Sequence, residues 1–189
     1  MKTGFLGRGM DRIPDMAFRV MSWIFVVRDR FRTPWALLDR FGIEKGQTVV
    51  DYGCGPGSYL GRASELAGPG GKVLAVDIHD LAIEAVGRRI IRERLSNVTA
   101  VKAGPGSSPI PDQTADVIYA LDMFHMVSDA PVFLRELNRI CRNAGLLFID
   151  NGHQSREKAR SKIISSGMWR IVEENKRYLK CTPLGKKLH

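Results

Sequence analysis

The chain has 189 residues, 44% of them hydrophobic, which suits one globular domain and gives no sign of a second fold. Its net charge is +9, carried as +4 in residues 1–45, −2 in 46–150 and +7 in 151–189. The basic ends could be a merely solvated surface, or they could bind an acidic small molecule, nucleic acid or anionic lipid.

Cysteine usage and hydropathy exclude several classes of protein. Cys54, Cys141 and Cys181 are widely spaced and form no C-x-x-C pair, so we expect a reducing compartment with no metal site and no disulfide framework. The apolar segment 16–27 contains Arg19 and is shorter than the roughly 20 residues of a membrane span. It also lacks a signal-peptide cleavage site, and we therefore expect a cytoplasmic protein.

The N-terminal part, residues 1–45, is predicted to hold a short mobile start and two helices. Residues 1–12 contain three glycines and no periodic apolar face. Asp15 can cap a helix that runs to Phe31, for which packing at the domain edge, a lid over a substrate and contact with a membrane surface are the alternatives. Pro34 suits the first position of a second helix that ends before Gly42.

The stretch TVVDYGCGPG, residues 48–57, predicts a strand that ends in a ligand-binding loop. A β-branched apolar run is followed by Asp51 and then by glycines at alternate positions, Gly53, Gly55 and Gly57. Glycine permits positive φ angles and lets a ligand approach the backbone closely. A helix predicted over 58–66 would point its unpaired N–H groups towards a polar or negative ligand.

Strands and helices alternate through the remainder of the core, residues 46–150. Strands are predicted at 72–77, 98–102, 116–121 and from Gly145, helices at 81–95 and 129–141, and a loop at 104–114. In the C-terminal part, 151–189, a basic helix at 154–166 precedes the hairpin strands WRIVEE and RYLKCT. This order predicts a doubly wound, Rossmann-like α/β fold with seven strands, mostly parallel, that closes with an antiparallel hairpin.

Several polar or glycine-rich segments fall where the predicted parallel strands end. Ligands of open parallel sheets bind beyond these carboxyl ends, near the point where the strand order reverses. Asp77 follows Gly57 by twenty residues and ends the second strand, where a carboxylate can accept hydrogen bonds from both hydroxyls of a ribose. A strand-end aspartate can also cap a turn or helix, but its pairing with the glycine loop favours the ribose role.

The motifs VVDYGCGPGSYL and VLAVDIH closely resemble the first two motifs of class I S-adenosylmethionine-dependent methyltransferases, especially the small-molecule branch with the ubiquinone and menaquinone biosynthesis enzymes. The resemblance continues through PDQTADVIYALDMFHMV, LRELNRICRNAGLLFID and the hairpin, over roughly residues 35–183. It implies S-adenosylmethionine as cofactor and methyl transfer to a small-molecule acceptor by in-line displacement.

The resemblance also implies a role for individual residues. The 53–57 loop would approach the methionine part of the cofactor, with Cys54 packed behind it, and Asp51 would hold the amino group directly or through water. Asp77 would bind the ribose, Ile78 would pack against adenine, and Leu121 would lie near the sulfonium. Members of the family normally carry an acidic residue after the third strand, where this chain has Ala103 and Gly104, so backbone groups of these two residues would have to bind the adenine edge.

Few catalytic groups are needed, because a sulfonium methyl is already activated and the enzyme mainly aligns the acceptor and excludes water. Where the acceptor is a weak acid, His125 is the first candidate for a general base and Asp122 the second. For both residues a purely structural role is the alternative. The cysteines predict no convergent thiol site.

The acceptor and the partners stay open at this stage. The apolar residues Phe18, Met21 and Trp23 of the predicted lid favour a hydrophobic acceptor, and the pocket could be closed by residues 16–31 or by a second subunit in a homodimer. A nicotinamide-dependent oxidoreductase would need the spacing G-x-G-x-x-G, and here the third glycine comes one residue early. A module that binds RNA or an acidic partner would need exposed aromatics beside its basic flanks, for which Trp169 and Tyr178 are candidates. We expect no specific nucleic acid.

Overall fold

The computed structural model describes residues 14–31 and 34–184, so the whole segment expected to be mobile, 1–12, lies outside the described residues. The helices are α1 (Asp15–Phe31), a 3₁₀ helix (Pro34–Arg40), α2 (Leu60–Ala67), α3 (Asp80–Glu93), a 3₁₀ turn (Phe124–Met126), α4 (Ala130–Ile140) and α5 (Arg156–Ser165). The strands are β1 (Thr48–Tyr52), β2 (Lys72–Asp77), β3 (Val98–Lys102), β4 (Ala115–Ala120), β5 (Cys141–Ile149), β6 (Trp169–Glu174) and β7 (Leu179–Pro183).

The seven strands form one sheet in the order β3-β2-β1-β4-β5-β7-β6. The first five in this order pair in parallel, whereas β7 is antiparallel to both β5 and β6. The predicted fold class is therefore confirmed. The strand order reverses between β1 and β4, so the glycine loop after β1 opens at the position where doubly wound sheets bind ligands.

Hydrophobic clusters cover both faces of the sheet. One contains the buried faces of α4 and α5, and the other contains those of α2, α3 and the 3₁₀ helix. In the second cluster the ring of Phe41 stacks on Phe148, with centroids 4.0 Å apart, and meets Tyr178 edge-on at 5.3 Å. The last hairpin thus packs directly against the segment that precedes β1.

The structure differs from the sequence-based expectation in a few local features. The segment after Pro34 is a 3₁₀ helix rather than an α-helix, and α2 begins at Leu60, two residues later than predicted. β5 begins at Cys141 rather than Gly145, because Cys141 already pairs with Ala115 before a register shift. The chain thus passes from α4 directly into β5.

Candidate functional site

A cavity lies at the carboxyl ends of β1, β2 and β4, between the glycine loop and α1. Its volume is about 90 Å³, whereas pockets for small molecules usually measure about 300–1,000 Å³. The loop and strand ends form its floor, and side chains of α1 form its roof. These lining residues include Gly53, Cys54, Gly55, Ser58, Tyr59, Asp77, Ile78, Leu121, Asp122 and Met123 from the core, and Phe18, Met21, Phe25 and Arg28 from α1.

The glycine loop leaves room where a side chain would fill it. Gly55 has a φ of 50°, and a Cβ built there would meet no atom within 4 Å, so it would project into open space. At Gly53, with a φ of 83°, a Cβ would come within 2.8 Å of Met123 Cγ. The backbone at both positions is in the left-handed region that favours glycine. The loop is therefore shaped for close approach of a ligand at Gly55 and of the β4 loop at Gly53.

Asp77 joins the end of β2 to the glycine loop. Its Oδ2 accepts a hydrogen bond from the Gly55 N–H at 2.9 Å, and its Oδ1 accepts one from the His79 N–H at 2.8 Å. Burial raises the pKa of this carboxyl, and the two N–H donors partly offset that effect. Each oxygen can still accept a further hydrogen bond, so the carboxylate can receive the hydroxyls of a ribose. Ile78 lines the same cavity beside it.

Asp51 is an almost fully buried carboxyl at the end of β1, 2% exposed, and does not itself line the cavity. Its Oδ2 has no hydrogen-bond partner among the described residues. Burial raises the pKa of Asp51 to about 8, with Asp77 and Asp122 adding to the shift and the Tyr119 hydroxyl opposing it. Arg89 also opposes the shift, but the cost of burying the charge outweighs both effects.

Asp122 follows the carboxyl end of β4 and connects three parts of the chain. Its Oδ2 accepts hydrogen bonds from Arg28 Nη1 at 2.7 Å and from the Tyr59 hydroxyl at 3.0 Å, and its N–H donates to Asp150 Oδ2 at 3.1 Å. The φ of Asp122 is 61°, a conformation that costs about 1–3 kcal/mol for a residue other than glycine and persists only where neighbours enforce it. The carboxylate thus holds α1 against the core.

His125 lies in the 3₁₀ turn after β4 but does not line the cavity. Its ring meets His153 edge-on, with centroids 4.8 Å apart, and lies so close to Gly152 that a Cβ there would come within 2.1 Å of Nδ1. Burial lowers the pKa of His125, and His153 lowers it further. Asp150, at the end of β5, has its pKa raised to about 6, chiefly by burial. The structure therefore separates the two predicted catalytic candidates: Asp122 lines the cavity and His125 packs beside it.

Two predicted adenine contacts, Ala103 and Gly104, lie outside the cavity lining. The Ala103 N–H donates to the Asp77 carbonyl at 2.9 Å, and the Gly104 N–H donates to the Ser107 carbonyl at 2.9 Å. Neither N–H is available to an adenine edge in this conformation. Leu121 and Cys54 do line the cavity, and burial raises the pKa of the Cys54 thiol well above its usual range, which keeps it protonated.

The structure has a helix where the sequence predicted one at 15–31, and about half of the residues that line the cavity were named from the sequence. Phe18 stacks on His79 with ring centroids 4.2 Å apart, and Met21, Phe25 and Arg28 complete the roof. Trp23, expected on the inner side with Phe18 and Met21, is instead 67% exposed on the outer side of α1. The apolar residues of α1 occur on both faces, so the pattern alone could not select the inner one.

The residues present fit the cofactor that the sequence resemblance implies. The Gly55 backbone is open to a ligand, and Asp77 retains acceptor capacity for hydroxyls. Asp51 lies outside the cavity lining, so its unpartnered Oδ2 would meet an amino cation through water or after a local rearrangement. The Ser58 Oγ also lines the cavity, is buried, and has no hydrogen-bond partner among the described residues. Over 14–31 and 34–184, no cluster of three or more His, Cys, Asp or Glu residues could hold a metal ion.

Comparisons with known proteins identify the family of this chain. The family described as "Methyltransferase domain" matches residues 50–149. The ubiquinone/menaquinone biosynthesis C-methyltransferases of Pasteurella multocida and Shewanella oneidensis are 32% and 34% identical over 114 and 110 residues, which cover 59% and 57% of this chain. The aligned parts span only 42% and 43% of these relatives.

Solved structures show the same fold at lower sequence identity. A SAM-dependent methyltransferase from Aquifex aeolicus superposes with a TM-score of 0.74 at 24% identity, covering 91% of this chain and 98% of that one. A TehB-like SAM-dependent methyltransferase from Corynebacterium glutamicum has a TM-score of 0.65 at 15% identity, covering 89% and 100%. The family match extends from β1 through β5, which carry the whole floor of the cavity, and the chain therefore belongs to the class I methyltransferases that use S-adenosylmethionine.

Proposed function

We propose that this chain transfers the methyl group of S-adenosylmethionine to a small hydrophobic acceptor. One observation carries the proposal: a single cavity brings the glycine loop and Asp77 against the apolar inner face of α1. The polar floor suits the cofactor, and the roof of Phe18, Met21 and Phe25 suits an apolar molecule. The chain spans less than half the length of the curated relatives that it matches, so their activity is a guide to candidates only.

The chain's own residues have binding, orienting and water-excluding roles in this proposal. Asp77 binds ribose hydroxyls, Ile78 packs on the base, the Gly53–Gly57 backbone follows the methionine part, and Asp51 neutralises its amino group. When bound, the cofactor supplies an activated methyl on a sulfonium. Leu121 and Met123 line the far side of the loop and exclude water from the reacting atoms, and alignment of this kind can supply several kcal/mol of barrier lowering.

The acceptor class follows from what lines the upper half of the cavity. Aromatic and thioether side chains offer few hydrogen bonds, so an acceptor held there is recognised mainly by burial of apolar surface. The name of the relatives, ubiquinone/menaquinone biosynthesis C-methyltransferase, makes hydrophobic aromatic precursors of quinones the first compounds to test. Asp122 is already bound by Arg28 and Tyr59, and His125 does not line the cavity, so either would act as a base only after rearrangement.

The described structure disfavours the RNA-binding alternative. Trp169 is 2% exposed and its indole N–H donates to the Leu134 carbonyl at 3.0 Å, while Tyr178 packs into the opposite hydrophobic cluster. Both side chains belong to the core, so neither can stack on a base. The basic C-terminal part therefore lacks the two aromatic contacts that sequence reasoning assigned to an RNA surface.

The decisive experiment combines cofactor binding with an acceptor screen. Calorimetric titration should show that S-adenosylhomocysteine binds and that NADH does not. Labelled S-adenosylmethionine would then be incubated with short-tailed quinols, simple phenols and total RNA, and methyl transfer is expected to the hydrophobic aromatic compounds. Binding of NADH alone, or transfer to RNA alone, would overturn the proposal.

Replacing Asp77 tests the assigned floor of the cavity. Asp77→Ala removes hydrogen bonds to a charged acceptor, each worth about 1.5–3 kcal/mol, so affinity for S-adenosylhomocysteine should fall at least about tenfold. The matched control is Asp80→Ala, three residues on, because Asp80 is exposed and bonds Lys102 outside the cavity. Equal affinities of the two variants would contradict the ribose contact.

A further inference from the structure

Helix α1 is apolar on two opposite faces. Its inner face packs over the cavity, as described above. Its outer face carries four large apolar side chains that are between half and three quarters exposed: Met16 (73%), Val20 (53%), Trp23 (67%) and Ile24 (52%). An apolar helix face is normally buried against another surface, so we expect the outer face to contact a partner.

The four outer residues form one continuous stripe. They are spaced at i, i+4, i+7 and i+8, which places them on the same side of an α-helix. The other large exposed apolar residues, such as Ile91 on α3 and Ile164 on α5, occur singly on separate elements. Scattered single residues need no explanation, whereas a contiguous patch marks an interaction site.

We propose that the outer face of α1, formed by Met16, Val20, Trp23 and Ile24, docks on an anionic phospholipid surface. The chain carries a net charge of +9, of which +4 lies within residues 1–45, so a negative lipid surface attracts the end of the chain that bears the stripe. Exposed Arg19 lies within the helix and adds positive charge there. Tryptophan is enriched at the boundary between lipid headgroups and acyl chains.

A second copy of the chain fits this face less well. Four partly exposed side chains offer on the order of 500 Å², below the about 800 Å² that each partner contributes to a stable interface. Two copies would also bring like charges of +9 together, which opposes association. A lipid surface requires no complementary protein patch, and an anionic surface attracts a chain whose net charge is positive.

Docking would be peripheral and would place the active cavity beside the lipid. No helix among residues 14–31 and 34–184 is long and apolar enough to cross a membrane. Because the inner face of α1 roofs the cavity while its outer face meets the lipid, one helix would separate acceptor and bilayer. The docking proposal does not depend on which acceptor is used, and a failure of one leaves the other standing.

The test is co-sedimentation of the full chain with vesicles at physiological salt. Vesicles of phosphatidylcholine with about one third phosphatidylglycerol should bind the protein, and pure phosphatidylcholine should bind it much more weakly. Trp23→Glu should lower the apparent vesicle affinity roughly tenfold or more, because it places a charge in the stripe. The matched control, Ile91→Glu, makes the same kind of change at an 80% exposed site on α3 and should bind like the parent.

Three outcomes would overturn the proposal. Absence of binding to the anionic vesicles would remove it outright. Equal binding by the Trp23 and Ile91 variants would assign any attraction to diffuse charge instead of the stripe. Concentration-dependent dimerisation in sedimentation velocity, abolished by Trp23→Glu, would assign the face to a second copy. Unchanged S-adenosylhomocysteine affinity in both variants verifies that each is folded.

Discussion

At the scale of single residues, Asp51 makes the stability of the ligand-free protein depend on pH. Its pKa is about 8 in the folded chain against 3.8 for an ordinary aspartate, so the folded state holds a proton that the unfolded state has released. Stability must therefore fall as pH rises between about 4 and 8. Asp150, with a pKa of about 6, contributes in the same direction over the lower part of that range.

Asp51→Asn should flatten this decline, because the amide cannot ionise. Urea unfolding at pH 5.5 and pH 8.5 would measure it, with the parent losing more stability between the two than the variant. An independent readout is calorimetric titration with S-adenosylhomocysteine at pH 7 in buffers of different ionisation enthalpy. If Asp51 meets an amino cation, binding should release up to about one proton in the parent and none in Asp51→Asn. Identical pH dependence in both proteins would remove Asp51 from this role.

The residues that the sequence could place at the predicted ligand-binding edge are those whose signal is local in sequence. The glycine loop and Asp77 are recognisable because spacing alone places them at strand ends, and the structure brings both to one cavity. The hydrogen bonds at the proposed adenine contacts could not be predicted from the sequence. The Ala103 N–H donates to the Asp77 carbonyl and the Gly104 N–H to the Ser107 carbonyl, and no periodicity in the sequence reveals either bond. Tyr59 was missed because only the tertiary fold brings its hydroxyl to Asp122.

At the scale of elements, α1 controls access to the cavity. Its side chains leave only about 90 Å³ beneath it, so the helix must shift before a cofactor-sized molecule can enter. The Arg28–Asp122 ion pair, with side chains 23% and 33% exposed, holds it in place. A partly exposed pair of this kind is worth about 1 kcal/mol.

Arg28→Ala should therefore loosen α1 and speed cofactor entry by about fivefold, the factor that corresponds to about 1 kcal/mol. Stopped-flow association with S-adenosylhomocysteine measures the rate, and hydrogen exchange of the α1 amides reports the loosening directly. Arg19→Ala is the control on the same helix, since Arg19 is exposed and does not line the cavity. A rate that is the same in both variants would show that the ion pair does not limit entry.

Element boundaries were predictable to within a few residues except where two elements join without a turn. β2 and β3 were placed at their observed limits because each is a short apolar run between turn residues. β5 was predicted to start at Gly145, because the apolar run begins only after it, although the strand already pairs at Cys141. The orientation of Trp23 was wrong because α1 is apolar on both sides.

At the scale of the whole molecule, both hydrophobic clusters pack on the same sheet, so we expect the chain to unfold as one unit. Trp169 reports the first cluster and Trp35 packs against the second, so each gives a separate fluorescence probe. In a Trp23→Phe background, which removes the third tryptophan, the urea transitions of Trp35→Phe and of Trp169→Phe should each have the same midpoint by fluorescence and by far-ultraviolet circular dichroism. Two distinct midpoints within one variant would instead show that the N-terminal segment and the core unfold separately.

The stacking of Phe41 on Phe148 and its edge contact with Tyr178 determine when this part of the core can form during synthesis. Domains assemble as their parts leave the ribosome, starting from the N-terminus. Phe41 emerges early, but the last of its aromatic neighbours, Tyr178, follows it only after all of β1 to β6 has been made. The segment that precedes the cofactor loop therefore cannot reach its final packing until the last hairpin is synthesised, and the nascent chain carries the Phe41 ring without its full set of neighbours until then.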